Sequence, residues 1–210
     1  MGGSAAGTAE PPASDEALDR AVAALRRGGL VVAATETLLG LLADPFRPAA
    51  LQRLAALKER PPDQPFPLLL PDPPAVTRVA RAMPDTALRL AARFWPGPLT
   101  LLLPALPGLP AELVGPEGLV AVRVPGPAPA TAICLRFGGP LVATSANPRG
   151  APPPASTGEL DPAVAAAADE IVPGAAAGSV GSTMVVCLAD GYRLVRAGAI
   201  DEAAIRGALA

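Results

Sequence analysis

The sequence predicts a single α/β domain in which helices flank a mixed sheet, and three observations lead to this prediction. Short apolar runs of strand length alternate with amphipathic helical patterns, which is typical of α/β folds. Two of the runs, within residues 184–195, flank an Ala-Asp-Gly turn and predict an antiparallel hairpin, so the sheet should be mixed. With 210 residues, of which 50% are hydrophobic, the chain can bury one sizeable core.

The first elements carry boundary signals. Ser14 is placed to cap a helix that has an acidic first turn and stops at Gly28. The apolar run 30–34 then predicts a buried strand. Polar residues 35–37 follow at the end of that strand, where the ligand sites of open α/β sheets collect.

The remaining elements follow from the same patterns. Helices are predicted over residues 48–58, 75–83, 85–94, 128–137 and 201–209, and the alanine-rich stretch 163–168 is predicted to be an ordinary helix. Strands are predicted over residues 66–70, 99–103, 119–124, 141–144, 183–188 and 192–195. The 28 prolines and 21 glycines concentrate in connections, and neither a repeat nor a second domain boundary is found.

The composition excludes several classes of chemistry. The chain has no histidine, which rules out Ser-His-Asp and Cys-His catalysis, His-based zinc sites and imidazole acid–base catalysis. The net charge of -2 and the pI near 5.2 exclude a globally basic surface, so tRNA is expected to bind weakly and only locally. Cys134 and Cys187 lie far apart in apolar surroundings, which predicts buried, reduced thiols.

The N-terminus and the apolar runs indicate where the protein resides. Residues 1–13 have neither the basic nor the apolar segment of a signal peptide, and they predict a flexible tail before a domain spanning residues 14–210. Apolar runs such as 99–103 are interrupted by proline well before the roughly 20 residues that a membrane helix needs. We therefore expect a soluble, cytoplasmic protein without a membrane segment.

Lys58 and Arg60 are the first candidates for a functional site. The prolines that follow them force the preceding helix to end, and unwinding there can direct both cations into one cleft. In isolation, a solvated pair of surface cations is the favoured interpretation. Ser145 and Asn147 follow a predicted strand and offer donors and acceptors to a phosphate or ribose. In isolation, a polar turn closed by Pro148 is the favoured interpretation of these two residues.

Other polar residues are equally ambiguous. Ser182 is either a hydroxyl of a binding loop or the start of a strand, and Arg196 is either a site residue or a surface cation. Glu36 and Asp44 are candidate metal ligands or bases, but structural hydrogen bonding or solvent exposure is the favoured interpretation. None of these motifs is specific by itself.

Seven sequence segments resemble, in order, the blocks of one protein family. ATETLLGLLADPF, residues 34–46, resembles the P-T-E-T-x-Y-G-L-x-A-D signature of the YrdC-like threonylcarbamoyl-adenylate synthases. LKERPPDQP, residues 57–65, resembles the L-K-x-R-P-x-x-K-P block of that family. The other five segments are FWPGPLTLLLP, VAVRVP, PLVATSANPRGAPPPAST, GSTMVV and RLVRAGAI. Together the seven are spread over nearly all of residues 27–200, and chance agreement in seven ordered blocks is very improbable.

The resemblance implies a fold and an activity. The fold is an open, twisted α/β sheet with a concave, positively charged groove. The activity is the synthesis of threonylcarbamoyl-AMP and pyrophosphate from L-threonine, bicarbonate and ATP, for threonylcarbamoyl-adenosine modification of tRNA. Mg²⁺ is expected to arrive with ATP, held by phosphate oxygens and water. The product is expected to pass to the proteins that transfer the threonylcarbamoyl group to tRNA.

The resemblance also assigns roles to individual residues. The residues that match ATP-binding positions are Lys58, Arg60, Ser145, Asn147 and Arg196. Lys58 and Arg60, from the K-x-R part of a K-x-R/S-x-N signature, are also the predicted catalytic residues. The residues that match threonine-binding positions are Thr35, Arg123 and Ser182. No residue is predicted to bind a metal.

Four positions depart from the family pattern. Ala34 replaces a proline, Leu39 an aromatic residue, Gln64 a lysine, and Arg149 the second serine of S-A-N-x-S-G. Gln64 removes one cation from an anion site. These departures motivate an alternative, a non-catalytic relative that binds RNA or a nucleotide. The acidic net charge argues against the RNA-binding form of this alternative. A third interpretation, the carbamoyl-transfer module of a larger carbamoyltransferase, requires partner domains for which 210 residues leave no room.

Overall fold

The computed structural model describes residues 13–210, so the predicted tail lies outside the described residues except for Ala13. The α-helices are α1 (Asp15–Arg26), α2 (Pro48–Leu57), α3 (Asp85–Phe94), α4 (Pro129–Phe137), α5 (Pro162–Ala167) and α6 (Glu202–Gly207). The strands are β1 (Val31–Ala34), β2 (Leu39–Ala43), β3 (Leu68–Leu69), β4 (Leu99–Pro104), β5 (Leu119–Arg123), β6 (Leu141–Ser145), β7 (Glu170–Ile171), β8 (Thr183–Leu188) and β9 (Gly191–Arg196). No described helix is long and apolar enough to cross a membrane.

These strands form one sheet in the order β7-β1-β2-β6-β3-β5-β4-β8-β9. The pairs β1–β7, β3–β5 and β4–β8 are parallel, and the other neighbouring pairs are antiparallel. The predicted mixed sheet is therefore confirmed. The predicted hairpin is confirmed as well, since β8 and β9 pair antiparallel with Leu188 opposite Gly191.

The hydrophobic core occupies both faces of the sheet. On β1, Val31 and Ala33 pack in a cluster with residues of α1 and α4, whereas Val32 and Ala34 pack in a second cluster with residues of α2 and α3. Successive side chains of a strand point to opposite faces, so an all-apolar strand supplies both clusters. The result is three layers, with the sheet between two sets of helices.

One part of the sheet remains open on the face that carries α1 and α4. Those two helices contact β1, at one end of the sheet. Strand register places the side chains of Ser145, Arg123 and Thr100 on this same face, at the end of β6, the end of β5 and the start of β4. Leu69 pairs with both Arg123 and Leu141, so Ser145, four residues after Leu141, lies further along the strands than Arg123. The polar side chains are therefore spread over this open face of the sheet.

The boundary signals of the first helix are confirmed. The Ser14 hydroxyl accepts a hydrogen bond from the Ala17 N–H at 3.2 Å, which caps the N-terminus of α1. Gly28, with a φ of +83°, adopts the left-handed conformation that ends the helix at low energetic cost.

The prediction of a helix over residues 75–83 is wrong. A 3₁₀ turn spans Pro73–Arg78 instead. Beyond it, the Leu106 N–H donates to the Val79 carbonyl and the Arg81 N–H to the Pro104 carbonyl, both across a bridge to the extension of β4. The backbone groups that a helix would use internally therefore pair with the chain that extends β4.

Other element boundaries differ less. The strand predicted over 66–70 is regular only at Leu68–Leu69, and the helix predicted over 201–209 spans Glu202–Gly207. Strands β2 and β7 were not predicted. Gly40 interrupts the pattern of β2, yet its missing side chain leaves room for the Thr35 methyl group, 3.3 Å from where a Cβ would lie. β7 has two residues, which is too short for a periodic signal.

The two cysteines are free and buried, as predicted. Burial raises the pKa of each thiol to about 12, and the charge of Asp72 adds to this effect at Cys134. Such thiols stay protonated and are poor nucleophiles.

Candidate active site

A cavity of about 330 Å³ opens on the face of the sheet that carries these polar side chains. All eight predicted site residues line it: Thr35, Lys58, Arg60, Arg123, Ser145, Asn147, Ser182 and Arg196. Three of the departing positions, Leu39, Gln64 and Arg149, line it too. Five of the lining side chains are cationic, and no carboxylate of the described residues lines the cavity. This charge distribution favours an anionic ligand.

A Schellman motif at the end of α2 brings Lys58 and Arg60 to the cavity. The Arg60 N–H donates to the Ala55 carbonyl at 3.0 Å, and the Glu59 N–H donates to the Ala56 carbonyl at 3.1 Å. Glu59 has a φ of +42°, a left-handed conformation that glycine usually supplies. The helix therefore ends at Leu57, with Lys58 as its C-cap, where the sequence analysis expected the prolines to end it.

The ammonium of Lys58 is enclosed by acceptors from the turn after β6. Its Nζ lies 2.9 Å from the Ser145 carbonyl oxygen, 2.5 Å from the Asn147 carbonyl oxygen and 3.1 Å from Asn147 Oδ1. An ammonium has three N–H donors, so these bonds can use all of them. The residue is 8% exposed, and burial, followed by the charge of Arg60, lowers the pKa of Lys58 to about 8. Lys58 is thus not a solvated surface cation.

The turn after β6 is internally hydrogen-bonded as well as facing the cavity. The Ser145 hydroxyl donates to Asn147 Oδ1 at 2.5 Å, and the Asn147 amide donates to the Ala151 carbonyl. Both side chains line the cavity. The polar-turn and ligand-site interpretations are therefore compatible, because the turn fixes the two groups against the cavity.

Arg60 is held by the segment that follows the α2 turn. Its Nε donates to the Gln64 carbonyl at 2.5 Å and its Nη2 to the Pro65 carbonyl at 2.6 Å, while the guanidinium stacks 4.4 Å from the Phe66 ring centroid. Burial lowers the pKa of Arg60, and the charge of Arg196 lowers it further. A second cation that lowers the pKa of Arg60, in a cavity with no lining carboxylate among the described residues, favours an anion in that space.

Arg196 and Ser182 form a second anchored pair. Arg196 donates to the Ser182 carbonyl from Nε at 3.2 Å and from Nη2 at 2.9 Å, and Nη2 also lies 3.0 Å from the Ser182 hydroxyl. That hydroxyl is 2.7 Å from the hydroxyl of Thr100. Gly198 permits this packing, because a Cβ there would lie 2.4 Å from the Gly181 carbonyl oxygen.

Thr35 and Arg123 organise the end of β1. The Thr35 hydroxyl accepts from the Leu38 N–H at 3.0 Å and donates to the Leu38 carbonyl at 2.7 Å, so it serves the turn that leads into β2. Arg123 forms a buried ion pair with Glu36, and its Nη1 also lies 3.3 Å from the Thr37 hydroxyl. Burial lowers the pKa of Arg123, and Glu36 opposes that effect. The structural role expected for Glu36 is thus present in this ion pair.

A family model named Sua5/YciO/YrdC, with the description "Telomere recombination", matches residues 23–198. The chain belongs to this family. The threonylcarbamoyl-AMP synthase of Stenotrophomonas maltophilia is 37% identical over 163 residues, covering 77% of this chain and 88% of the relative. The protein of the same name from Alkalilimnicola ehrlichii is 40% identical over 153 residues, covering 71% of this chain and 77% of the relative.

Solved structures of the Sua5/YciO/YrdC family have the same fold. P. abyssi Sua5 in complex with L-threonine superposes with a TM-score of 0.81 at 32% identity over 91% of this chain. This chain spans only 57% of the length of that protein. E. coli YciO superposes with a TM-score of 0.75 at 24% identity, covering 92% of this chain and 93% of YciO, which shows the fold alone.

The sequence analysis missed several residues at this family's cavity. Thr100 lines it and bonds to Ser182, but it lies within a predicted strand. Thr37 lines it and bonds to Arg123, and although the polar segment 35–37 was expected near a ligand site, Thr37 was not assigned a role. Arg149 was recorded only as a departure from a serine. Its charge next to the S-A-N turn was the signal that could have identified it.

Proposed function

We propose that this chain is a threonylcarbamoyl-AMP synthase, which forms threonylcarbamoyl-AMP and pyrophosphate from L-threonine, bicarbonate and ATP. The observation that carries the proposal is the cavity with five cationic side chains and no lining carboxylate among the described residues. It is supported by the similarity to several synthases of that name over most of the chain. A polyphosphate substrate accounts for this charge, because it needs neutralisation by several fixed cations.

In this proposal, the arginines bind the ATP phosphates and Lys58 organises their surroundings. Within the described chain, Nη1 of Arg60 and Nη1 of Arg196 make no hydrogen bond, so these groups have free donors for phosphate oxygens. Lys58 contributes its charge and fixes the turn that carries Ser145 and Asn147, whose side chains face the nucleotide.

L-threonine occupies the other part of the cavity in our proposal. Arg123 is the cation nearest to the β1 turn, and its Nη1 is already committed to Glu36 and Thr37. Its remaining donors are available for the threonine carboxylate or for the carbamate. Thr35 shapes this region through its turn, and Ser182, just before β8, borders it.

The chemistry requires positioning more than proton transfer. The threonine amine attacks bicarbonate, and loss of water leaves a carbamate. A carbamate oxygen then attacks the α-phosphorus of ATP, and the bond to the β-phosphate oxygen breaks to release pyrophosphate. Fixed cations stabilise the charge that develops on the phosphates, and such preorganised groups are effective in a partly enclosed site.

Mg²⁺ bound to the phosphates would add charge neutralisation. Among residues 13–210, no group of three or more His, Cys, Asp or Glu side chains is placed to hold a metal ion. The donor set of the protein therefore does not fit a resident magnesium site. We propose that the ion enters with ATP, and no step assigned to the protein's residues depends on it.

Pyrophosphate release with each substrate omitted in turn tests the proposal. We expect release to require ATP, L-threonine and bicarbonate together. Release that continues undiminished without L-threonine would refute the synthase assignment. ATP binding without any release under complete conditions would instead favour the non-catalytic nucleotide-binding alternative.

We also propose that tRNA binds this protein weakly, and that separate transfer proteins carry the product to tRNA. The net charge of -2 supports this, because non-specific affinity for nucleic acid depends on phosphate neutralisation. In a mobility-shift titration at physiological salt, we expect little complex. Tight, salt-resistant binding would favour the RNA-binding alternative.

A further inference from the structure

Arg149 differs from the other cations of the cavity in how little the protein uses it. Its single hydrogen bond within the described chain runs from Nη1 to the Glu59 carbonyl at 2.8 Å, and the residue is exposed. A guanidinium carries five N–H donors, so four remain. Arg60 and Arg196, by comparison, each make two or more charge-assisted bonds to the protein.

The backbone holds Arg149 beside the cavity. It follows Pro148 in a turn closed by a hydrogen bond from the Ala151 N–H to the Pro148 carbonyl at 3.2 Å. Gly150 has a φ of +79°, which a tight turn requires at that position and glycine adopts without strain. Both Arg149 and Gly150 line the cavity.

The bond to Glu59 joins Arg149 to the wall that carries the other cations. Glu59 lies between Lys58 and Arg60, at the left-handed residue of the α2 turn. Lys58 bonds from that turn to residues 145 and 147, and Arg149 bonds back from the β6 turn to residue 59. Each loop therefore donates a hydrogen bond from a cationic side chain to the other loop, and the two form one wall of the cavity. The free donors of Arg149 lie at the exposed rim of this wall.

We propose that Arg149 is a further polyphosphate-binding residue of this site, which contacts the phosphates of ATP from the cavity rim. The proposal rests on the proposed function for the identity of the nucleotide. Arg149 has no ion-pair partner among the described residues, unlike Arg123, so its charge is free to act on a ligand. Gln64, which also lines the cavity, is neutral where the family pattern has a lysine, and Arg149 supplies a cation where that pattern has a serine.

Titration calorimetry with ATP and with inorganic tripolyphosphate tests this role. We expect Arg149→Ala to weaken the binding of both by about five- to tenfold, less than loss of an enclosed cation, because the site is exposed. Arg149→Gln should bind both ligands as weakly as Arg149→Ala, because the glutamine amide can still donate to the Glu59 carbonyl but carries no charge. Arg149→Lys should fall between Gln and wild type.

The matched control is Arg89→Ala. Arg89 is exposed, donates one guanidinium bond to the Ala210 carbonyl at 2.8 Å and does not line the cavity. Its loss removes the same charge and the same kind of bond, and we expect unchanged affinity for both ligands. Urea unfolding of all variants verifies that they remain folded.

Three outcomes would overturn the proposal. The first is unchanged affinity for both ligands in Arg149→Ala. The second is wild-type affinity in Arg149→Gln, which would show that the residue only supports the α2 turn. The third is an equal loss of affinity in Arg89→Ala. Tripolyphosphate separates this result from the proposed function, because its binding does not depend on synthase activity. If pyrophosphate release proves independent of threonine while tripolyphosphate binding still requires Arg149, only the synthase assignment fails.

Discussion

Lys58 Nζ donates to Asn147 Oδ1 at 3.1 Å, across 89 positions of the sequence. The same ammonium donates to two backbone carbonyls of that turn. Lys58 is also the only lysine of the chain. The residue therefore connects the end of α2 to the end of β6, and its removal should affect the fold as well as the site.

We expect Lys58→Met to lower the free energy of unfolding by about 1–3 kcal/mol, because it leaves buried acceptors without donors. A solvated surface cation would change it by no more than about 0.5 kcal/mol. Urea denaturation measures the difference. Arg193→Met, which removes an exposed cation outside the cavity, is the control, and an equally small effect in both variants would contradict the prediction.

The pH dependence of ATP binding should report the lowered pKa of Lys58. The pKa lies near 8 rather than 10.5, so above pH 8 the ammonium loses its proton and its charge. The resulting neutral amine has only two N–H groups for three acceptors. We expect ATP affinity to fall as the pH rises through about 8. A bound polyanion favours the charged form, so saturating ATP should move this titration upward.

The sign of the effect on stability is opposite. Between about pH 8 and 10.5 the unfolded chain keeps the Lys58 proton that the folded chain has lost, so this group's contribution to stability rises with pH. ATP binding should therefore weaken without loss of the fold. Because the chain has one lysine, ¹³C-lysine labelling gives an unambiguous Cε signal. A titration midpoint near 10.5 in the free protein would disprove this prediction.

Arg60→Ala should weaken ATP binding or turnover by about ten- to a hundredfold while the fold is retained, because a charge-assisted bond in a partly enclosed site contributes roughly 1.5–3 kcal/mol. Arg60→Lys should restore only part of this, since lysine lacks the planar fork and the stacking on Phe66. Titration calorimetry of both variants, with Arg193→Ala as the control, makes the comparison. Unchanged affinity and turnover in Arg60→Ala would remove this residue from the site.

Glu36→Gln should destabilise the protein by about 3 kcal/mol, because it leaves the buried Arg123 guanidinium without its counter-charge. The two side chains are 14% and 8% exposed, so solvent cannot compensate for the loss. A double-mutant cycle with Arg123→Met, in which urea denaturation measures the stability of each variant, isolates the coupling between the two side chains. Additive effects of the two substitutions would show that the pair contributes no specific stability.

Gly198→Ala should lower the free energy of unfolding by about 1–3 kcal/mol and weaken ATP binding, because the new methyl group would displace the segment that presents Arg196. Its Cβ would lie 2.4 Å from the Gly181 carbonyl oxygen. At Gly207, by contrast, a Cβ meets no atom within 4 Å, so Gly207→Ala is the matched control. Equal stability of the two variants would contradict the close packing described above.

Local signals predicted most of the fold. The Ser14 cap, the end of α2 before two prolines and the hairpin of β8 and β9 depend on interactions within a few residues, which a sequence pattern records. The predictions failed where distant backbone decided the conformation. The segment after Pro73 pairs with the extension of β4, and the two residues of β7 become a strand only beside β1.

The sequence by itself determined the α/β class, the family blocks and the eight predicted site residues that line one cavity. Only the tertiary structure decided what each side chain contacts there. The Lys58 ammonium donates to a turn 87 to 89 positions away, and the Thr35 hydroxyl bonds within its own turn. Arg149 keeps free donors, since it makes one hydrogen bond within the described chain. The physical reason is that residue type fixes the donors and charges, whereas packing of distant segments determines which of them the protein satisfies internally.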